Sequence, residues 1–340
     1  MQTSEQTKTN LRHYDSLTPR GQARRLRELA KSALRQFDIR VHRLELIKHL
    51  VNTTFRLRSD EGEYLVRIHR EKNHTIRVVE SELAWLLALS KEADVTVQTP
   101  YIAPDGRVVV LAEATGVPKA YPVTVLSWIK GRIVPQVRRT TRHYEGLGRL
   151  VATLHKHAMQ WNPPDDFERP VYDAIRQLGK LSVRPLPELG PRYLPAHVLR
   201  DMEAVYERRQ EAEKVLGTGC EHFGLIHFDL SFSNILFYGG EALPIDFDAC
   251  GFGFYAYDLG VALTGPFAYE NFMARCEAVF RGYRQVLPLR REWIEYLPTF
   301  MASRTASYIL HVAANPKAVE SQWRSLLRPL LKASLNQFPS

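Results

Sequence analysis

The stretch Leu225-Ile226-His227-Phe228-Asp229-Leu230-Ser231-Phe232-Ser233-Asn234-Ile235-Leu236-Phe237 decides how this 340-residue chain is read. Nine residues after Phe237 comes Asp246, in Ile245-Asp246-Phe247-Asp248. The pattern is His-x-Asp-x4-Asn, with a further Asp twelve residues beyond the Asn. Apolar runs at 225–226, 235–237 and 243–247 predict short strands. They place Asp229 and Asn234 in one loop and Asp246 at the end of the return strand.

Phosphoryl transfer needs these residue types together. A nucleoside triphosphate is densely anionic, and the Mg²⁺ that accompanies it takes hard oxygen ligands. The Asp246 carboxylate and the Asn234 amide oxygen suit that ion and do not suit zinc. A second carboxylate, Asp229, can accept a hydroxyl proton and aim that oxygen at the γ-phosphate. Any one of these residues alone reads as a turn or cap beside a buried strand. The three at this spacing point to a kinase.

Composition agrees with an enzyme of this size. Apolar residues make up 45% and charged residues 24%, which excludes disordered and collagen-like classes. No run of 18 apolar residues occurs, so no membrane partner is expected. Met1 to Asn10 is polar and lacks the apolar core of a secretory signal. Cys220, Cys250 and Cys276 form no CxxC pair, which suits a reduced cytoplasmic setting. The net charge is +9, concentrated at the ends: nine Lys/Arg against four Asp/Glu in residues 1–40, and ten against five in 266–340. Such ends read as solvated basic helix faces, or as attraction to anions. No RNP motif or zinc finger is present, so nucleic acid is not an expected partner.

Working outward, Thr18-Pro19 reads as a helix start, and Leu26, Leu29, Ala33, Leu34 and Phe37 repeat at helical spacing to about residue 37. Strands are predicted over 41–50, 53–58, 64–69, 108–111 and 123–128, with one helix over 74–90 among them. Beyond about residue 140 the pattern is helical (144–157, 195–216, and 256 onward), apart from the Pro-rich stretch 163–195 and the short β island. The expected fold class is α+β and two-lobed. A tail and amphipathic helix (1–40) precede a small β-rich N-lobe (41–128), which leads into a larger, mainly helical C-lobe (129–340).

The segment from Leu225 to Leu263, with Ile245-Asp246-Phe247-Asp248-Ala249-Cys250-Gly251-Phe252-Gly253 and then Tyr257-Asp258-Leu259, resembles the aminoglycoside phosphotransferase/choline kinase superfamily. It is most similar to the branch of bacterial stress-response kinase and homoserine-kinase-like proteins. Softer matches lie upstream: Asn52 to Leu57 with the nucleotide-loop strand, Tyr64 to Arg70 with the third strand, and Ser81 to Leu86 with the N-lobe helix. Leu126 to Gly131 matches the hinge, and Leu150 to His155 the helix after it. The resemblance implies a protein-kinase-like fold using ATP and Mg²⁺. It implies Asp229 as catalytic base, Asn234 and Asp246 as metal ligands, and Arg67 on phosphate with Glu82 paired to it. Asn52 would lie in the nucleotide loop, and the backbone of Ser127 and Ile129 would bind adenine. His227 and Asp258 would support the catalytic loop. Helix geometry alone leaves Glu80 and Glu82 equivalent as partners of Arg67; only the resemblance selects Glu82.

The chain departs from that pattern in three places. Phe228 stands where Gly is usual, and either narrows the acceptor pocket or packs inward. The nucleotide loop His49-Leu50-Val51-Asn52-Thr53 has no glycine. Arg67 replaces a Lys, exchanging a point charge for a planar fork. The acceptor is expected to be a hydroxyl of a small molecule. The basic C-terminal region disfavours a polycationic aminoglycoside. The alternatives are a Ser/Thr protein kinase of the same fold and a nucleotide-binding pseudokinase scaffold. Trp293, Tyr296, Phe300 and Tyr308 either line an acceptor pocket or form helix core.

Overall fold

The computed structural model describes residues 13–71, 74–178, 194–313 and 315–336; the tail before residue 13 lies outside the described residues. The chain divides into two compact units, one comprising 1–87, 98–129 and 166–168 and the other 88–97, 130–165 and 169–340. The architecture is α+β, with a β-sheet N-terminal unit and a largely helical C-terminal one.

The N-terminal unit is built on a five-stranded antiparallel sheet in the order β1-β2-β3-β5-β4. Its strands are β1 (Arg43–His49), β2 (Thr53–Ser59), β3 (Gly62–Ile68), β4 (Val110–Ala112) and β5 (Tyr121–Ser127). Strand alternation turns Phe55, Leu57, Val66, Ile68, Val123 and Val125 to one face, where they pack with helix α1 (Pro19–Gln36). Thr18 accepts the Gly21 amide to start α1, Pro19 occupies the first turn, and Asp38 leaves the helix in a left-handed conformation (φ 56°). Leu26, Leu29, Leu34 and Phe37 are wholly buried, each contributing about 1.5–3 kcal/mol. The basic N-terminal helix is therefore part of this unit's core, with Arg24 and Arg35 on its exposed side. The opposite face of β3 turns Arg67 toward α2 (Ile76–Glu92).

The C-terminal unit contains α3 (Thr141–Gln160), α4 (Ala174–Leu178), α5 (Ala196–Leu216), α6 (Tyr255–Phe267), α7 (Phe272–Arg284), α8 (Arg291–His311), α9 (Pro316–Gln322) and α10 (Arg328–Asn336). Two small sheets complete it: β6 (Val171–Tyr172), β10 (Gly251–Phe254) and β7 (Phe223–Ile226) in the order β6-β10-β7, and the hairpin β8 (Ile235–Tyr238) with β9 (Glu241–Pro244). Helices α3 and α7 cross at two facing glycines. A Cβ on Gly148 would lie 2.0 Å from the Val279 carbonyl oxygen, and one on Gly282 would lie 2.0 Å from that of Glu145. Only a bare Cα fits there.

Most expected elements are present, with ends shifted by a few residues. Two differ for a physical reason. The strand expected over 243–247 stops at Pro244, because Asp246 turns left-handed (φ 66°) and Phe247–Ala249 coils into a single 3-10 turn. The Gly-Phe-Gly-Phe run then forms β10, whose glycines make room for the Pro170 carbonyl and the Ile226 side chain. The Pro-rich stretch holds β6 and α4, and its residues 179–193 lie outside the described residues.

Burial holds the imidazoles of His49, His143, His155 and His157 below the usual range, and nearby Arg70 (for His49) and Arg139 and Arg142 (for His143) push the same way. Each therefore binds a proton more readily in the unfolded chain, so stability rises with pH through the window below about 6.5. Differential scanning fluorimetry should show Tm nearly level above about pH 7 and falling from about pH 6.5 to 5.5. A Tm that rises on acidification would contradict this assignment.

Candidate active site

Two successive backbone amides anchor the loop that carries Asp229. The His227 and Phe228 amides each donate to one oxygen of the Asp258 carboxylate, both at 2.8 Å. Asp258 comes from the first turn of α6 and is fully buried. Behind it His155 of α3 lies 3.7 Å away through Nε2, and its Nδ1 meets the Tyr283 hydroxyl at 3.0 Å. His227 ties the same loop to the return strand. Its Nε2 lies 3.1 Å from the Ile245 carbonyl oxygen, and its Nδ1 accepts the Asp229 amide at 3.4 Å. The Ile245 amide donates to the Asn234 carbonyl at 2.9 Å, so Asp246 leaves the hairpin directly beside Asn234.

Asp229 and Asn234 meet side chain to side chain. Asn234 Nδ2 donates to Asp229 Oδ2 and to the Asp229 carbonyl, both at 2.9 Å. With the nitrogen committed to Asp229, the amide oxygen Oδ1 is turned away from it. The other Asp229 oxygen, Oδ1, accepts from Nη2 of Arg304 in α8. Burial acts against the Arg304 charge, but the Tyr257 phenol and the Asp229 carboxylate outweigh it and raise its pKa.

Phe228 packs inward. It holds φ 71°, a conformation that costs a non-glycine residue about 1 kcal/mol or more. Its ring is stacked between Tyr172 (centroids 3.7 Å apart, 15°) and Tyr257 (5.0 Å, 11°). Under this stack lies Arg209 of α5, fully buried, with its guanidinium 4.4 Å from the Phe300 ring centroid and 5.1 Å from that of Tyr257. Arg209 also pairs with Glu213 at 2.6 Å. Of the aromatic residues considered for an acceptor pocket, Trp293 and Phe300 are core: Trp293 Nε1 donates to His222 Nδ1 at 2.8 Å, and Phe300 carries Arg209. Tyr296 is half-buried and Tyr308 is exposed.

In the N-terminal unit, Arg67 Nη1 donates to Glu82 Oε1 at 2.6 Å, with the two side chains 3% and 1% exposed. Glu80 faces solvent, so the register of α2 against β3 selects Glu82. The glycine-free loop is shaped by side chains. Asn52 Oδ1 accepts the Arg70 amide at 3.2 Å, Arg70 Nη2 donates to the Leu50 carbonyl, and His49 Nδ1 meets the Thr53 hydroxyl at 2.7 Å. Asn52 thus acts as a loop brace. Ser127 is already engaged: its amide donates to the Thr99 carbonyl at 2.8 Å, and its carbonyl accepts the Gln98 side chain at 3.3 Å. Its amide is thus used within the unit, while its carbonyl oxygen has a second lone pair beyond the Gln98 bond. The backbone of Ile129 has no such partner among the described residues.

Residues 43–295 match the model of the phosphotransferase enzyme family (APH). The chain belongs to that family. Its members transfer phosphoryl groups to hydroxyls, and the chain is a phosphotransferase of the kinase type. It is 26% identical over 276 residues to a homoserine kinase of Paramagnetospirillum magneticum, covering 76% of each protein. Among solved structures it is similar to a microcompartment-associated aminopropanol kinase (28% identity, TM-score 0.71, covering 90% of this chain and 94% of that one). It shares the fold of the amicoumacin kinase hAmiN, solved with AMP-PNP, Ca²⁺ and Ami (20% identity, TM-score 0.73, covering 91% and 92%). Against this background the phosphotransferase shows residues to which motif reading gave no role: Arg304 and Arg209, and Tyr257, His155 and Arg70, which lie inside the matched segments. For Arg304 a signal existed, since it lies four residues from both Phe300 and Tyr308 on the helix that carries the aromatic candidates.

Two outcomes follow for stability. Phe228→Ala keeps the strained φ and loses the stack, whereas Phe228→Gly loses the stack and relieves the strain. The glycine variant should be the more stable by about 1 kcal/mol in urea denaturation; an alanine variant equal or better would refute the strain. Glu82→Ala takes the buried carboxylate at 2.6 Å from Arg67 and should cost about 3–5 kcal/mol, whereas the paired change Arg67→Met with Glu82→Leu should restore much of that loss. A double variant no more stable than Glu82→Ala would show that the pair is not what holds α2 on β3.

Proposed function

We propose that the chain moves the γ-phosphate of ATP, accompanied by Mg²⁺, to a hydroxyl of a small molecule. The observation that carries this is the carboxylate of Asp229, held by Asn234 on one oxygen and carried on a loop that is itself fixed by Asp258. Asp229 would accept the proton of the acceptor hydroxyl as its oxygen attacks the γ-phosphorus and ADP leaves with the β–γ bridging oxygen. The donor set suits magnesium. Asn234 commits its nitrogen to Asp229 and so has an oxygen for a cation, and Asp246 adds a carboxylate from the adjacent strand end. The bound ion would neutralise the β- and γ-phosphate charge.

In the N-terminal unit, Arg67, oriented by Glu82, would contact phosphate with a planar fork. The Ile129 backbone would meet the adenine edge. Asn52 shapes the nucleotide loop through Arg70. The relatives named for homoserine and aminopropanol support a small acceptor. So does the short path from Phe247 to Asp258, which is filled by one 3-10 turn, β10 and the start of α6. That path has no room for a long phosphorylated regulatory segment, which counts against a Ser/Thr protein kinase. Phe228, the strongest hint of a pseudokinase, is accommodated by stacking and displaces none of the loop's hydrogen bonds. The three cysteines form no disulfide and one of them is exposed, which suits a cytoplasmic setting.

The test is ADP release and phosphorylated product from a panel of hydroxyl metabolites with ATP and Mg²⁺. Asp229→Asn and Asp246→Asn should each lower kcat by about 10²–10⁴-fold, and chelation of divalent ions should abolish turnover. Turnover retained in both variants would overturn the assignment.

A further inference from the structure

Resting on that reading, we propose that Arg304 selects the acceptor by pairing with a carboxylate on it, so that the substrates are small hydroxy acids or hydroxy amino acids. An acceptor hydroxyl has to reach Asp229, and both carboxylate oxygens are already met. Asn234 holds Oδ2 and is itself fixed by its second bond to the Asp229 carbonyl. Arg304 holds Oδ1 from a helix 75 residues further along the chain, and its side chain is 25% exposed. The guanidinium is the partly exposed cationic partner of Asp229, and a ligand can reach it.

A guanidinium has five N–H donors in one plane and matches a carboxylate with two parallel bonds. Only Nη2 is on Asp229. An acceptor carrying a carboxylate can take the remaining donors while its hydroxyl approaches Asp229. An ammonium at the same place cannot use those donors and meets a guanidinium whose charge is offset only by the Asp229 carboxylate it already holds. The surroundings reinforce that sign. The Tyr257 phenol is fully buried and lies against Arg304, whose charge and side-chain contact favour the phenolate while burial opposes it. Arg209, behind the same ring, has an unpartnered buried Nη2. The acids nearest these cations are already paired: Asp229 with Arg304, Glu213 with Arg209 and the Ala174 amide, and Asp173 with Arg176. The ammonium end of an amino alcohol or of a polycationic sugar cannot use these donors.

The experiment compares acceptors that differ by one carboxylate: L-homoserine with 3-amino-1-propanol, L-serine with ethanolamine, and glycerate with ethylene glycol. In the wild type the carboxylated member should have the higher kcat/KM, by about 10- to 100-fold. Arg304→Met should reduce that ratio to near one, mainly through KM of the carboxylated member, and Arg304→Lys should retain part of it. Equal or better use of the decarboxylated members by the wild type overturns the proposal without any variant. An equal loss on both members in Arg304→Met also overturns it, because a residue that only pins Asp229 would act on both alike. Calorimetric titration of the same pairs into protein loaded with AMP-PNP and Mg²⁺ reads the preference by binding alone. Tighter binding of the carboxylated members, lost in Arg304→Met, supports the proposal, and equal binding overturns it. Failure of the kinase reading itself shows differently, as no phosphorylated product from any acceptor.

Discussion

One buried carboxylate organises the reactive loop. Asp258 takes two consecutive backbone amides, a geometry in which successive N–H groups converge on a single anion. Convergence of this kind needs one of the residues in a left-handed conformation, and Phe228 supplies it at φ 71°. Without Asp258 those amides would be buried and unpaired, at a cost of about 1–3 kcal/mol each. The direction in which Asp229 leaves the loop follows from that arrangement. His227 then extends it to the Ile245 carbonyl and hence to Asp246. Acid, amide and second acid are placed by backbone hydrogen bonds, which are less tolerant of drift than side-chain rotamers.

The left-handed residue also accounts for the aromatic stack. Glycine would adopt φ 71° freely, so a phenylalanine there has to recover the strain by packing. It does so between Tyr172 and Tyr257, and the same Tyr257 ring lies over Arg209 and beside Arg304. A departure from the family's usual residue at one position is thereby joined to two buried or half-buried cations. The chemistry of this side of the site is set by guanidinium groups and phenols, whereas an enzyme for polycationic acceptors would need carboxylates.

Much of this was legible in the chain itself. Short-range signals read well where local physics dominates: the cap and periodicity of α1, the alternation of β2, and the His-x-Asp-x4-Asn loop with its following Asp. Asn234 lies five residues from Asp229 and its amide reaches it directly. Other expectations turned on contacts that spacing does not encode. Asn52 braces a loop through Arg70, and Ser127 has its amide taken by Thr99 from a neighbouring segment. Trp293 and Phe300 carry the periodicity of a pocket wall but are consumed by core contacts with His222 and Arg209.

The order of residues alone determined the class of chemistry, because oxygen-bearing side chains within one loop and one hairpin need only local geometry to come together. It also determined which helix and strand faces are apolar. Tertiary structure decided which way Phe228 turns and that Arg304 rests on Asp229, and it set Glu82 rather than Glu80 against Arg67, where helix periodicity had left the two equivalent. Each of those depends on the rotation and approach of elements distant in the chain, and such placement follows from packing of the whole core, which no short window of residues contains.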